Sequence, residues 1–150
     1  MGWSCGGIEA LVAGADPRVK AVAGLATGFF ADGSLGYDRS EIAKIKAPTL
    51  IFTGGPKDIA YANGKATYRL LKAPAVHVDY DVVGHSGLFM GWNIKINFDD
   101  PQILVDGFTM VSDWFDYQLL KDTTAGEQFS GSSCGLCGKD GWKVRTKRLR

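Results

Sequence analysis

The clearest β-strand signal in the chain is Thr49-Leu-Ile-Phe-Thr53, a β-rich run closed by Gly54-Gly55-Pro56. Two further apolar runs, residues 19–25 and 76–80, also have the character of buried strands. Helical spacing of apolar residues predicts helices after Gly6-Gly7 and over residues 40–45, 60–71 and 103–120. Strands that alternate with helices pair in parallel through right-handed crossovers. The sequence therefore predicts an α/β fold, a parallel sheet with flanking helices.

Length and composition narrow the class of protein. The 150 residues fit one domain, and 45% hydrophobic with 22% charged residues is ordinary for a globular chain. A net charge of +1 gives no overall attraction to nucleic acid. No run reaches the roughly 18–20 apolar residues of a membrane span, and the first residues lack the basic and apolar regions of a signal peptide. We therefore expect neither a nucleic-acid partner nor a membrane span. The sequence does not determine where in or outside the cell the protein is located.

The end of the chain differs from the rest in composition. We divide the sequence into residues 1–122, which carry the motifs described below, and residues 123–150, a loop-rich basic tail that contains two cysteines. From Lys139 to Arg150 there are six cations against one anion, Asp140. This segment is interpreted as a frayed, solvated tail, and an anion-binding arm is the alternative.

The strongest chemical motif is Gly2-Trp3-Ser4-Cys5-Gly6, which matches G-x-S-x-G and is extended by Gly7. In that motif a nucleophilic serine lies on a strained turn between a strand and a helix, so its neighbours must be small. The helix that follows offers unpaired N–H groups to an oxyanion, and the backbone N–H of Cys5 is the first of these. The pattern alone is common in glycine-rich sequences, where it marks an ordinary turn.

Two later loops supply partners for Ser4. Asp58 lies in the loop after the strand that ends at Thr53, and His85 lies in the loop after the strand of residues 76–80. Both loops leave the carboxyl ends of predicted parallel strands, where open α/β sheets place their sites. We therefore predict a catalytic triad in which His85 takes the proton of Ser4 and Asp58 orients His85. The acyl-enzyme is then hydrolysed by water that His85 activates.

Each assignment has a rival. Ser4 is also a plausible helix cap, and Cys5 is a minor alternative nucleophile. Asp32, in the loop after the first predicted strand, is the main alternative to Asp58. The remaining candidates are assigned structural roles: His77 on its strand, and Asp79 and Asp81 as solvated or edge positions. Five aromatic residues are candidates either for an apolar pocket or for the core: Trp3, Phe29, Phe30, Phe89 and Trp92.

The cysteines of the tail favour a disulfide. Cys134-Gly-Leu-Cys137 is a single C-x-x-C, which lacks the four ligands of a structural zinc site. We expect Cys134 and Cys137 to form a disulfide, either with each other or with a partner chain, and this suits an oxidising compartment. A thiol-based redox or interaction module is a weaker alternative. No metal and no cofactor is expected.

Taken together, these segments resemble the dienelactone-hydrolase and polyester-hydrolase branch of the α/β-hydrolases, and more closely a group of secreted α/β-hydrolase-like proteins. The order Ser4, Asp58, His85 is that of α/β-hydrolases. The resemblance is carried by residues 1–7, 16–20, 55–61, 63–64, 83–87, 134–137 and 142. It implies a serine esterase acting on a small-molecule ester or acyl substrate without a cofactor, and an extracellular full-length parent.

The chain also departs from that family. Members carry a leading half with the first strands and a second oxyanion donor, whereas this chain starts at the serine motif, so it is expected to be the C-terminal, catalytic half of the fold with Met1 as an internal methionine. The missing strand would leave the edge at residues 19–25 exposed, free to pair with the absent half or with a second copy. The alternative function is therefore a truncated, weak or inactive remnant that acts as a subunit or binding module.

Overall fold

The computed structural model describes residues 1–81, 83–85 and 101–149. Within them, one mostly parallel sheet has the strand order β1-β2-β3-β4-β5. The first four strands pair in parallel and β5 pairs antiparallel with β4. The strands are β1 (Gly2–Trp3), β2 (Val22–Leu25), β3 (Thr49–Thr53), β4 (Ala75–Tyr80) and β5 (Trp142–Lys147). The predicted α/β class is confirmed.

Helices cover both faces of this sheet. They are α1 (Ser4–Ala13), α2 (Tyr61–Leu70), α3 (Pro101–Phe115) and α4 (Thr123–Gly126), with a 3-10 helix at Arg39–Lys44 and a π-helical turn at Asp116–Leu120 that continues α3. The predicted helices match these elements to within a few residues at each end, except that α4 lies in the segment predicted to be a loop-rich tail. Among the described residues, no helix combines the length and apolar character needed to cross a bilayer.

The core lies in two layers, one on each face of the sheet. Along β3, Leu50 and Phe52 point to the layer that contains Trp114 of α3, and Ile51 points to the layer that contains Leu11 of α1. This alternation follows from the two-residue period of a strand. Because both faces are covered, every residue of β2, β3 and β4 is buried. Buried parallel strands of this kind hold the loops at their carboxyl ends in a fixed position.

The frayed, solvated tail predicted from Lys139 is wrong for residues 142–147. Residues 142–147 form β5, and Trp142 is buried against Tyr80 at a ring-centroid distance of 4.8 Å. Lys147 places its Nζ at the C-terminal end of α2 and donates to the carbonyl of Arg69 at 3.2 Å. The physical reason is the alternation of Trp142 and Val144 with cations, which gives the strand one face for the core and one for solvent.

The exposed apolar edge predicted at residues 19–25 is also not found. The strand begins at Val22, and Gly2 and Trp3 pair with its last two residues. The carbonyl of Val22, at the other end, accepts a hydrogen bond from the indole N–H of Trp114 at 2.9 Å. Among the described residues, the edge strand on this side of the sheet is therefore the two-residue β1, and β2 lies buried beside it.

Candidate active site

The turn between β1 and α1 presents Ser4 in a strained backbone conformation. Ser4 has φ of +53°, a left-handed value that is uncommon outside glycine. A Cβ on Gly2 would stand 2.0 Å from the carbonyl oxygen of Gly6, and one on Gly7 would stand 2.7 Å from Thr27. A Cβ on Gly6 itself would meet nothing within 4 Å. The steric argument for glycine therefore holds at Gly2 and Gly7 but not at Gly6.

The Ser4 hydroxyl is hydrogen-bonded to a histidine. Its Oγ lies 2.8 Å from Nε2 of His85. Trp3 is the N-cap residue of α1 and makes no side-chain cap bond, and Ser4 is the first helical residue, so the helix-cap interpretation of Ser4 is wrong. The main chain at this position is held by Thr27, whose hydroxyl donates to the carbonyl of Ser4 at 2.7 Å.

Asp58 lies behind the histidine and is 3% exposed. Its Oδ1 is 2.7 Å from Nδ1 of His85 and accepts from the backbone N–H of Ala60 at 2.8 Å. Its Oδ2 accepts from the N–H of Gly54 at 3.0 Å. With Nδ1–H donating to this carboxylate, Nε2 is left as the acceptor for the Ser4 hydroxyl. Two backbone N–H groups thus hold the Asp58 carboxylate in the orientation in which it accepts a hydrogen bond from His85.

The rival acid lies elsewhere in the structure. Asp32 bonds to the hydroxyl and the N–H of Ser34 at 2.7 and 3.0 Å, and these contacts lower the pKa of its carboxyl. The structure brings Ser4, Asp58 and His85 together and leaves Asp32 out of their hydrogen-bond chain. Cys5, the alternative nucleophile, is an exposed free thiol, while the imidazole bonds to Ser4.

The side chain of Trp3 contacts the loop that carries His85. The indole N–H of Trp3 donates to the carbonyl of His85 at 3.0 Å, and the two rings lie 5.1 Å apart. Trp3 therefore packs on the candidate triad. Phe29 is fully buried in the core, whereas Phe30 lines the cleft. Phe89 and Trp92 lie outside the described residues.

An apolar cleft of about 250 Å³ opens beside Ser4. Ser4, Cys5 and His85 form its reactive end, and the other walls are mainly apolar. Ile59 and Leu35 are 77% and 55% exposed at its rim. The N–H of Cys5 belongs to the first turn of α1, where backbone N–H groups have no acceptor within the helix. An oxygen bound in the cleft next to Ser4 is therefore close to a helix N-terminus, which favours negative charge.

Asp79 was predicted to be solvated or at an edge, and this prediction is wrong. Asp79 is 0% exposed, and its Oδ1 accepts from the hydroxyl of Thr53 and from the N–H of Gly55, both at 2.9 Å. His77, predicted to be structural, is 1% exposed and bonds to the same Thr53 hydroxyl at 2.8 Å. Burial and the positive charges of Arg145 and Lys65 lower the pKa of His77 to about 4. The sequence contained one signal for this cluster, the regular alternation of polar residues His77 and Asp79 within an apolar strand.

The tail contributes a local crosslink. Cys134 and Cys137 form a disulfide with each other, and the N–H of Cys137 donates to the sulfur of Cys134 at 3.3 Å. Leu136, between them, is 1% exposed and joins the core layer beside Trp114. In the described part of the chain, no group of three or more His, Cys, Asp or Glu side chains is arranged to hold a metal ion.

Neither a scan against protein-family models nor a search of curated proteins found a match for this chain.

Proposed function

We propose that this protein is a serine hydrolase of the α/β-hydrolase type that cleaves esters or related acyl substrates through an acyl-enzyme. The observation that carries the proposal is the continuous hydrogen-bond chain from Ser4 Oγ to His85 to Asp58, with distances of 2.8 and 2.7 Å. A hydroxyl, an imidazole and a buried carboxylate in this order have the geometry by which a serine nucleophile is activated.

The chemistry proceeds in two halves. Ser4 attacks the acyl carbonyl as His85 removes its proton, and the Asp58 carboxylate stabilises the imidazolium that forms. His85 then returns the proton to the leaving alcohol, which departs. In the second half His85 removes a proton from water, the water attacks the acyl carbon, and Ser4 is released when its oxygen regains a proton.

The developing oxyanion is stabilised at the start of α1. The tetrahedral intermediate carries its negative charge on the former carbonyl oxygen, and the N–H of Cys5 is the proposed donor to it. The left-handed backbone at Ser4 supports this assignment. In the G-x-S-x-G motif the nucleophile lies on a strained turn between a strand and a helix, and its hydroxyl is exposed there. The apolar walls of the cleft favour an acyl group with little charge.

The architecture is proposed to be the C-terminal, catalytic half of the α/β-hydrolase fold. Support comes from the parallel order of β1 to β4 and from the placement of Ser4, Asp58 and His85 after β1, β3 and β4. In that fold the nucleophile, acid and histidine follow strands in the same chain order.

Hydrolysis of p-nitrophenyl acetate tests the proposal. We expect the wild-type chain to release nitrophenol above the buffer rate and Ser4→Ala to fall to that rate. Asp58→Asn should lose about 10³- to 10⁴-fold, because His85 then has no carboxylate to hold its tautomer. Asp32→Asn changes the rival acid, which bonds to Ser34 outside the hydrogen-bond chain, and is the matched control that should retain activity. Equal rates for wild type and Ser4→Ala would remove the claim and leave a non-catalytic binding module as the better account.

A further inference from the structure

Asp79 carries an unusual buried oxygen. The side chain is 0% exposed, and its Oδ2 has no hydrogen-bond partner among the described residues. Buried polar atoms without a partner are rare in native structures, and each one calls for an explanation. The proposed triad does not include Asp79, so its role lies outside the chemistry derived so far.

The other oxygen of Asp79 is bound to the turn that carries the triad. Oδ1 accepts from Gly55 N–H at 2.9 Å, and the preceding N–H, that of Gly54, donates to Asp58 at 3.0 Å. Two consecutive backbone N–H groups of one turn thus donate to two different buried carboxyl groups. Thr53, the last residue of β3, donates its hydroxyl to Asp79 and fixes the same oxygen from the strand side.

The same turn also holds the histidine loop. The carbonyl of Gly54 accepts from the N–H of Gly84 at 2.8 Å, one residue before His85. The approach is so close that a Cβ on Gly54 would stand 1.9 Å from the carbonyl oxygen of Gly84. Gly55 has φ of +79°, and a Cβ there would stand 2.3 Å from the carbonyl oxygen of Asp81. A movement of Gly54 and Gly55 would therefore move both Asp58 and His85.

The surroundings favour the neutral form of Asp79. Burial raises the pKa of its carboxyl, the contacts from Thr53 and Gly55 lower it, and the negative charge of nearby Asp81 raises it. The ion pair with Lys143 lowers the pKa of Asp81 and keeps that partner ionised. A proton on Oδ2 of Asp79 would give the orphaned oxygen a hydrogen to share with the Asp81 carboxylate.

We propose that Asp79 is a positioning residue of the candidate triad, which binds the Gly54–Gly55 turn through Gly55 N–H and so fixes Asp58 and His85 relative to Ser4. The inference rests on the proposed serine-hydrolase function. It assigns Asp79 no contact with substrate. Its effect passes through the backbone of the turn.

The test is the rate at which a fluorophosphonate probe labels Ser4, measured between pH 5 and 9. Asp79→Leu removes the acceptor of Gly55 N–H, and we expect labelling about 10- to 100-fold slower, because small displacements of catalytic groups have effects of this size. Asp79→Asn keeps an acceptor for Gly55 and a donor toward Asp81, so it should stay within about 3-fold of wild type. Asp32→Asn, on a loop outside the hydrogen-bond chain, is the matched control and should label like wild type.

A second readout separates positioning from loss of structure. If Asp58 is displaced in Asp79→Leu, the hydrogen bond between His85 and Asp58 is weakened, and the acid limb of the labelling profile moves. The inference is overturned if Asp79→Leu labels like wild type. It is also overturned if Asp79→Asn is as slow as Asp79→Leu with an unchanged acid limb, since that indicates a general packing defect.

Two further outcomes remain distinct. If wild type itself is not labelled, the proposed function fails first, and the positioning role falls with it. If Asp79→Leu does not fold, Thr53→Val carries the test, because it removes one of the two donors to Oδ1 at nearly constant volume. Labelling about 3- to 10-fold slower with a shifted acid limb would then support the inference, and an unchanged rate would overturn it.

Discussion

Gly2 and Gly6 flank Ser4 in one motif, but only Gly2 is under steric constraint. A Cβ on Gly2 would overlap the Gly6 carbonyl oxygen at 2.0 Å, and a Cβ on Gly6 would lie in open space. We expect Gly2→Ala to destabilise the chain by at least about 2 kcal/mol, because the backbone at the turn must shift. Urea unfolding measures this change directly.

Gly6→Ala is the matched control for that prediction. Gly6 lies within α1, where alanine is favoured over glycine by up to about 1 kcal/mol. We therefore expect Gly6→Ala to keep or increase the free energy of unfolding and to leave hydrolysis intact. If both variants lose stability equally, the steric distinction drawn between the two glycines is incorrect.

At the scale of single elements, β4 and α2 enclose a histidine that resists protonation. His77 is stacked on Tyr68 with ring centroids 5.6 Å apart, and burial together with Arg145 and Lys65 lowers its pKa from 6.5 to about 4. The unfolded chain binds a proton at His77 between those two values and the folded chain does not. His77 therefore makes its full contribution to the free energy of unfolding above about pH 6.5, and this contribution is lost as the pH falls toward 4.

Urea unfolding at pH 7 and pH 5 tests this consequence. We expect the wild-type chain to lose about 2 kcal/mol more than His77→Gln between these two conditions, because glutamine cannot take up the proton. The comparison between the two chains cancels the titration of groups that both of them share. Identical pH dependence in wild type and His77→Gln would show that His77 is accessible to protons in the folded state.

In the molecule as a whole, the last strand, β5, contributes Trp142 to one of the two core layers. Trp142 of β5 packs on Tyr80 of β4 and on Phe52 of β3, the latter at a centroid distance of 6.3 Å. We expect Trp142→Ala to cost about 3–5 kcal/mol, as for a buried tryptophan. Thr146→Ala, at an exposed position of the same strand, should change the free energy of unfolding by less than about 0.5 kcal/mol. A small cost for Trp142→Ala would support the tail as a solvated segment after all.

Much of this architecture can be predicted from the sequence because its signals are local. The apolar run at residues 49–53 and the glycines after it predict β3, and the placement of Asp58 and His85 after neighbouring parallel strands predicts that they meet at one edge. The position of Asp79 depends instead on Thr53 and on the turn after β3, whose Gly55 N–H donates to it. The strand β5 depends on antiparallel pairing with β4, from which it is separated by the whole of α3. Neither feature has a local signature beyond alternation.

The proposed function requires that Ser4 is the activated nucleophile of the chain. Fluorophosphonate labelling followed by peptide mapping measures this most directly, because the probe reacts with a serine whose proton is removed by a neighbouring base. We expect one adduct, on the Ser4 hydroxyl, which is lost in Ser4→Ala and kept in Cys5→Ala. A folded chain that carries no adduct, or one that carries it on another residue, would contradict it.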